Sequence, residues 1–92
     1  MTNSEPLVSV VMSVNRDDGN LYDSINSILN QSYKNIEFLI VNDGSSKDVN
    51  QVLKKIKDKR IVFLEQKKIG LTACLNFGIS ESKGEYIARQ DA

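Results

Sequence analysis

The sequence predicts an α/β protein built on a parallel β-sheet, because four short apolar segments alternate with segments of helical periodicity. The apolar segments, which predict strands, are residues 7–14, 36–41, 61–65 and 85–90. Between them, apolar residues recur every three or four positions, as they do on one face of a helix. Strands that alternate with three helices through short loops form βαβ units. Right-handed crossovers then give a Rossmann-like, three-layer α/β/α arrangement around a mainly parallel sheet of four strands.

Each of the three predicted helices carries an apolar stripe that is expected to face the sheet. The stripe of the first helix consists of Leu21, Ile25, Ile28 and Leu29. The stripe of the second consists of Val49, Val52, Leu53 and Ile56, and that of the third of Leu71, Leu75, Ile79 and Ser82. Cys74 lies beside the third stripe, which predicts a packed thiol. Gly84 is predicted to end the third helix.

Composition and charge exclude several classes of function. The 92 residues form one domain at most, 1–92, and the polar residues 1–5 are predicted to be disordered. Twelve basic and twelve acidic residues cancel, so we expect no nucleic acid to be held by net charge. The chain has one cysteine and no histidine, which excludes Ser-His-Asp and Cys-His catalysis. Any metal site therefore needs oxygen ligands, which favour Mg²⁺ or Mn²⁺ over zinc.

The sequence also bears on location. Its longest apolar run is too short to span a bilayer, and no signal-peptide pattern is present. The single cysteine fits a reducing compartment. These features predict a cytoplasmic protein without a transmembrane segment in this chain, located in its intact form in the cytosol or at the inner face of the membrane through other parts.

In an open parallel sheet, ligands bind beyond the carboxyl ends of the strands, where the strand order reverses. With the order 3-2-1-4, that point lies between strands one and four. The candidate residues are therefore Asn15 and Arg16 after the first strand, Asp43 after the second and Asp91 after the fourth. Asp43 is placed to accept hydrogen bonds from a base or a ribose. An equally simple reading is an ordinary turn followed by a helix cap.

Asp91 suggests a cation site that this sequence leaves incomplete. A second carboxylate two positions later would help it to hold a divalent cation between nucleotide phosphates, and a lone Asp at this place is otherwise merely solvated. Neither G-x-G-x-x-G nor G-x-x-x-x-G-K-[ST] occurs. A diphosphate would then be neutralised by a cation or by basic side chains such as Arg16, Lys67, Lys68 or Arg89. Arg89 equally suits an ion pair with a neighbouring carboxylate.

Five segments, in order, resemble glycosyltransferase family 2, whose members have the GT-A fold. They are LVSVVMSVN at 7–15, SILNQSY at 27–33, IVNDGSSKD at 40–48, GLTACLNFGI at 70–79 and KGEYIARQDA at 83–92. The resemblance covers residues 6–92 and implies the first half of a GT-A fold, the donor-nucleotide-binding part. It also implies that the chain ends inside the Asp-x-Asp motif of the family.

The resemblance implies roles for single residues. Asp43 would contact the nucleobase, usually uracil, with Asn15 beside it. Asp91 would be the first acid of Asp-x-Asp, near the ribose and the metal, Mg²⁺ or Mn²⁺. Gly70 and Asn76 match positions near the donor pocket, which the basic side chains considered above would also line. Asn42 departs from the more common Asp of the family but leaves Asp43 in place.

The function implied by the resemblance is sugar transfer from a nucleotide-sugar, UDP-linked, to a glycan or polysaccharide acceptor in bacterial polysaccharide biosynthesis. The second acid of the motif, the acceptor site and the catalytic base would lie beyond residue 92, so the chain alone is expected to be inactive. Two alternatives stay open. One is a sugar nucleotidyltransferase, although 15–20 lacks the Gly- and basic-rich loop of that class. The other is a non-catalytic nucleotide-binding or interaction domain, of which a flavodoxin-like receiver is one form.

Overall fold

A computed structural model of the chain describes residues 5–15, 19–44, 47–67 and 70–90, without the side chains of Lys47 and Asp48. Four strands alternate with three helices, as the sequence predicts. The elements are β1 Val8–Val14, α1 Leu21–Leu29, β2 Ile36–Asp43, α2 Lys47–Lys55, β3 Ile61–Gln66, α3 Leu71–Glu81 and β4 Tyr86–Arg89. Of the segment predicted to be disordered, residues 1–4 lie outside the described residues.

The strands form one sheet in the order β3-β2-β1-β4, and every neighbouring pair is parallel. The predicted fold class and strand order are therefore confirmed. β2 runs two residues past its predicted end, because Asn42 and Asp43 pair with Glu65 and Gln66 of β3. The apolar run stops at Val41, but the backbone ladder continues. As a result, Asp43 is held by the sheet instead of lying in a loop.

Helices α1 and α2 cover one face of the sheet and enclose the larger part of the core. Their predicted stripes are buried, with Ile25 and Val49 fully shielded from solvent. The strand residues that meet them alternate along each strand, as period-two geometry requires. This cluster contains Val10, Met12, Val14, Leu21, Ile25, Ile28, Leu29, Ile36, Phe38, Ile40, Val49, Leu53 and Ile56.

Helix α3 packs on the opposite face, and its predicted buried stripe is only partly correct. Leu75 is buried against Val11 and Leu39, but Leu71 is 56% exposed and Ile79 is 36% exposed. The buried face is instead formed by Cys74, Leu75 and Gly78. A Cβ added at Gly78 would lie 2.5 Å from Val11 Cγ1. Small residues thus let the helix approach the sheet closely, and the larger apolar residues lie on its flanks.

A polar network at the amino edge of the sheet joins β1, β2 and the segment before β4. The buried hydroxyl of Ser9 donates to the carboxylate of Glu37 and accepts the backbone N–H of Gly84 at 2.8 Å. The backbone N–H of Lys83 donates to the same carboxylate. Gly84 therefore does not end α3, which stops at Glu81. A Cβ at Gly84 would lie 2.7 Å from the Ser9 backbone nitrogen, so the position needs glycine for close approach.

Arg60 connects the turn before β3 to the end of α1. Its guanidinium donates to both carboxylate oxygens of Asp58 and, through Nη2, to the carbonyl oxygen of Leu29 at 2.9 Å. The last carbonyl groups of a helix have no intrahelical donors, so Arg60 supplies one of them. The hydrogen bonds from Arg60 lower the pKa of Asp58 from 3.8 to about 2.

Candidate nucleotide site

The carboxyl ends of all four strands meet at one edge of the sheet, because the strands are parallel. β1 is central there, with β2 on one side and β4 on the other, so the strand order reverses at β1. This is the place at which open α/β sheets bind ligands. Asn15 follows β1 and is exposed, Asp43 ends β2, and Gln90 follows β4.

Asp43 is the buried carboxylate of this edge, with 3% of its surface exposed. Its side chain lies on the α3 face of the sheet. Oδ2 accepts a hydrogen bond from the backbone N–H of Gly70, with 3.2 Å between the heavy atoms. Gly70 precedes α3 with a φ of 95°, in the region that favours glycine. Asp43 therefore meets the amino end of α3, where the helix dipole stabilises negative charge.

Cys74 lies one turn into α3 and is fully buried. Burial raises the pKa of its thiol above the ordinary value of 9.0. A hydrogen bond to Asp43 and the negative charge of that residue raise the pKa further, against a smaller lowering by a hydrogen bond with Ser13. The packed thiol predicted from the sequence is confirmed. At neutral pH it is protonated and serves as a hydrogen-bond donor.

Asn42 faces the other side of the sheet, so the two neighbouring polar residues serve different faces. It is 5% exposed, and its Nδ2 donates to Oδ1 of Asn50 on α2 at 3.0 Å. Between α2 and β3 lies a cavity of about 300 Å³, lined by Asn42, Asn50, Leu53, Lys54, Phe63, Leu64 and Glu65. The sequence analysis did not single out Asn50 or Glu65, because neither interrupts the apolar pattern around it.

Two other predicted donor-pocket residues come together on the α3 face. Asn76 of α3 and Arg89 of β4 are both exposed and line a cleft of about 120 Å³, together with Leu71, Thr72, Leu75 and Ile79. Within the described residues Arg89 makes no ion pair, so the structure gives no support to a pairing with a neighbouring carboxylate. Gly70 is joined to Asp43 instead of to this cleft.

Two predicted site residues, Arg16 and Asp91, lie outside the described residues, as does Lys68. In the rest of the chain, no group of three His, Cys, Asp or Glu side chains is arranged to hold a metal ion. Asp43 accepts hydrogen bonds from α3 and has no second carboxylate grouped with it there. The described side chains by themselves therefore do not fit a divalent cation. No helix among them is long and apolar enough to cross a membrane.

Comparison with known proteins identifies relatives over nearly the whole chain. The model of a family described as glycosyl transferase family 2 matches residues 9–92. An uncharacterized glycosyltransferase of Rickettsia bellii is 40% identical over 86 residues, which is 92% of this chain and 12% of the relative. The UDP-Glc:alpha-D-GlcNAc-diphosphoundecaprenol beta-1,3-glucosyltransferase WfaP of Escherichia coli is 34% identical over 87 residues, which is 94% of this chain and 35% of the relative. The chain thus spans about a third or less of the length of these relatives.

Among solved structures, a mannosyltransferase of Pyrobaculum calidifontis, PcManGT, in complex with GDP-Man and Mn²⁺, has a similar fold. It superposes with a TM-score of 0.81 at 19% sequence identity, over 96% of this chain and 28% of that chain. At this identity the likeness concerns the fold. It agrees with the GT-A fold expected from the sequence.

Proposed function

Because the chain belongs to glycosyl transferase family 2, we propose that it forms the donor-nucleotide-binding part of an enzyme that transfers a sugar from a nucleotide-sugar to a glycan or polysaccharide. The observation that carries the proposal is the position of Asp43, a buried carboxylate at the carboxyl end of β2 beside the reversal of strand order. A carboxylate at such a place can accept an imide or amide N–H of a nucleobase or a ribose hydroxyl. Asn15, exposed after β1, would lie beside the base.

A UDP-linked donor is the finer part of the proposal. Uracil presents one imide N–H, which a carboxylate oxygen accepts directly. The relative WfaP carries UDP-Glc in its name, whereas the structural neighbour was solved with GDP-Man. Both nucleotides therefore belong in the test. The donor phosphates would lie toward Arg16, Asn76 and Arg89, of which the last two share one cleft.

A divalent cation, Mg²⁺ or Mn²⁺, would neutralise the diphosphate and stabilise it as it leaves. Asp91 would be one ligand, at the end of the segment that follows β4. It would need at least one further carboxylate, because the described residues contain no group that holds a metal. The presence of Mn²⁺ in the complex of the structural neighbour supports this reading for the intact enzyme.

Titration with UDP tests the proposal. We expect UDP to shift the backbone amide resonances of Asn15, Asp43 and Asp91, and Asp43→Asn to weaken binding by ~10–100-fold, because a charge-assisted hydrogen bond is worth roughly 1.5–3 kcal/mol. Glu81→Gln, an exposed carboxylate at the far end of α3, is the matched control. GDP titrated in parallel reports the base preference. Equal UDP affinity of Asp43→Asn and the unmodified chain would contradict the role of Asp43.

We also propose that the 92-residue chain transfers no sugar by itself. It spans 35% or less of the length of the relatives described above, and its described residues offer no metal-holding group. Incubation with UDP-sugars, Mn²⁺ and lipid-diphosphate-linked or free sugar acceptors should give no product above a chain-free blank. Product formation at a rate proportional to chain concentration would refute this. A place at the inner face of the membrane in the intact protein remains a prediction.

A further inference from the structure

The Asp43 carboxylate is the point at which β2 meets the first turn of α3. Gly70 contributes its backbone N–H to Oδ2 at 3.2 Å, and the Gly70 carbonyl oxygen accepts the backbone N–H of Cys74 at 3.0 Å. Cys74 also turns its buried side chain toward Asp43, with a hydrogen bond between thiol and carboxylate. One turn of helix thus places two donors on one carboxylate.

Both donors are fixed by their surroundings. The positive φ of Gly70 sets the direction of its N–H, and a Cβ there would meet nothing within 4 Å, so conformation and not space selects glycine. The next residue after Cys74, Leu75, is buried against Val11 and Leu39, which anchors the turn on the sheet. The buried donors also compensate Asp43 for the water that it has lost.

We propose that Gly70 and Cys74 are positioning residues for Asp43: they fix the orientation in which its carboxylate meets the nucleobase. The inference rests on the proposed role of Asp43 in nucleotide binding. Neither residue touches the nucleotide through its side chain in this scheme. A side chain at 74 without a donor would leave Asp43 in place in the sequence but free to rotate away from its binding orientation.

The thiol itself supplies a measurement that needs no ligand. The chain has one cysteine, so its S–H stretching band in the infrared belongs to Cys74 alone, and Cys74→Ala identifies the band by removing it. A thiol that donates to a carboxylate absorbs at lower frequency than a thiol in an apolar solvent. We expect this lowering in the unmodified chain and a smaller one in Asp43→Asn, because an amide oxygen is a weaker acceptor than a carboxylate. A band at the apolar-solvent frequency in the unmodified chain would overturn the proposal.

UDP affinity supplies the second measurement. Cys74→Ser keeps a donor and Cys74→Ala removes it at nearly the same size, so the two variants form a matched pair. We expect Cys74→Ser to bind UDP within about threefold of the unmodified chain and Cys74→Ala about tenfold more weakly, with the Gly70 amide resonance displaced only in the latter. A purely structural role would weaken binding in proportion to lost stability, so the melting temperature is recorded for each variant. Equal affinities for the pair would overturn the positioning role.

The two proposals fail in different ways. If the unmodified chain does not bind UDP, the proposed function fails, and with it the purpose of the positioning. If UDP binds and Asp43→Asn abolishes binding while the S–H band and the Cys74 pair show no difference, only the positioning role fails. If a Cys74 variant does not fold, the band of the unmodified chain still decides whether the thiol holds the carboxylate.

Discussion

At the scale of single residues, the Asp58–Arg60 pair makes the stability of the fold depend on pH. The pKa of Asp58 is about 2 in the folded chain against 3.8 ordinarily, so its contribution is complete above pH ~4 and is lost as the pH falls toward 2. Both side chains are about a quarter exposed, so solvent screens the pair. We expect Asp58→Asn to cost about 1 kcal/mol at neutral pH.

Urea unfolding at pH 7, 5, 4 and 3 measures this contribution. The free energy of unfolding of the unmodified chain should fall more steeply on acidification than that of Asp58→Asn, so that the two converge at low pH. Glu85→Gln, which removes an exposed carboxylate near the start of β4, is the control and should follow the unmodified chain. Parallel curves for Asp58→Asn and the unmodified chain at all four pH values would contradict the expectation.

The candidate site shows what single residues reveal before a structure is known. Asp43 and Gly70 were each selected from the sequence, as a polar residue after an apolar run and as a family-like glycine. The bond between them was not foreseen, because it joins residues 27 apart through a positive φ at Gly70. Such a contact depends on the register of β2 and the docking of α3, which the local pattern of polar and apolar residues does not encode.

At the scale of elements, the close packing of α3 on the sheet depends on the absence of a side chain at Gly78. Gly78→Ala adds a Cβ 2.5 Å from Val11 Cγ1, and we expect overpacking of about 1–3 kcal/mol, against a gain of about 1 kcal/mol in helix propensity. In a Val11→Ala background that Cγ1 is gone, so the same substitution should stabilise. A double-mutant cycle by chemical denaturation should give a coupling of at least about 1 kcal/mol. Additive effects of the two substitutions would contradict this packing.

The same helix explains where prediction from the pattern fails. Leu71, Leu75 and Ile79 recur at every fourth position, which indicates a stripe, but small residues determine the close approach of α3. Cys74 and Gly78 are weak hydrophobic signals, so a count of apolar residues places the face about one position away from the true one. For α1 and α2, which meet the sheet through large side chains, the same count places the buried faces correctly.

At the scale of the whole molecule, the α3 face and β4 leave apolar surface exposed. Leu71 is 56% exposed, Tyr86 62% and Ile87 45%. We expect the chain to self-associate through this surface, because contiguous apolar area and an open strand edge both favour it. Sedimentation over a range of concentrations should show association that Leu71→Lys with Ile87→Thr abolishes, while the melting temperature is retained.

The control for this experiment is Tyr22→Lys, which replaces a residue of similar exposure, 47%, on α1. It should leave the association unchanged. If Tyr22→Lys abolishes the association equally, contacts through α3 and β4 are not its cause.

The whole fold was more predictable than any of its interfaces. The order of the elements follows from the period of the apolar residues, and the all-parallel sheet follows from the alternation of strands and helices. Details that depend on close approach did not follow. Gly84 was interpreted as a helix terminator, whereas it lies against the backbone of Ser9, 75 residues away. No local pattern distinguishes a glycine that ends a helix from one that lets two segments touch.

That long-range bond has a consequence for the order of folding. Residues 8–56 alone supply every buried member of the larger core cluster, through neighbouring strands and helices. The contact between Ser9 and Gly84 closes a loop of almost the whole chain, so its entropic cost is met only after β1 is in place. We therefore expect β4 to dock last, and pulsed hydrogen exchange should protect the amides of β1 and β2 before those of 86–90. The nucleotide edge between β1 and β4 would then be completed in the final step of folding, on a core already formed.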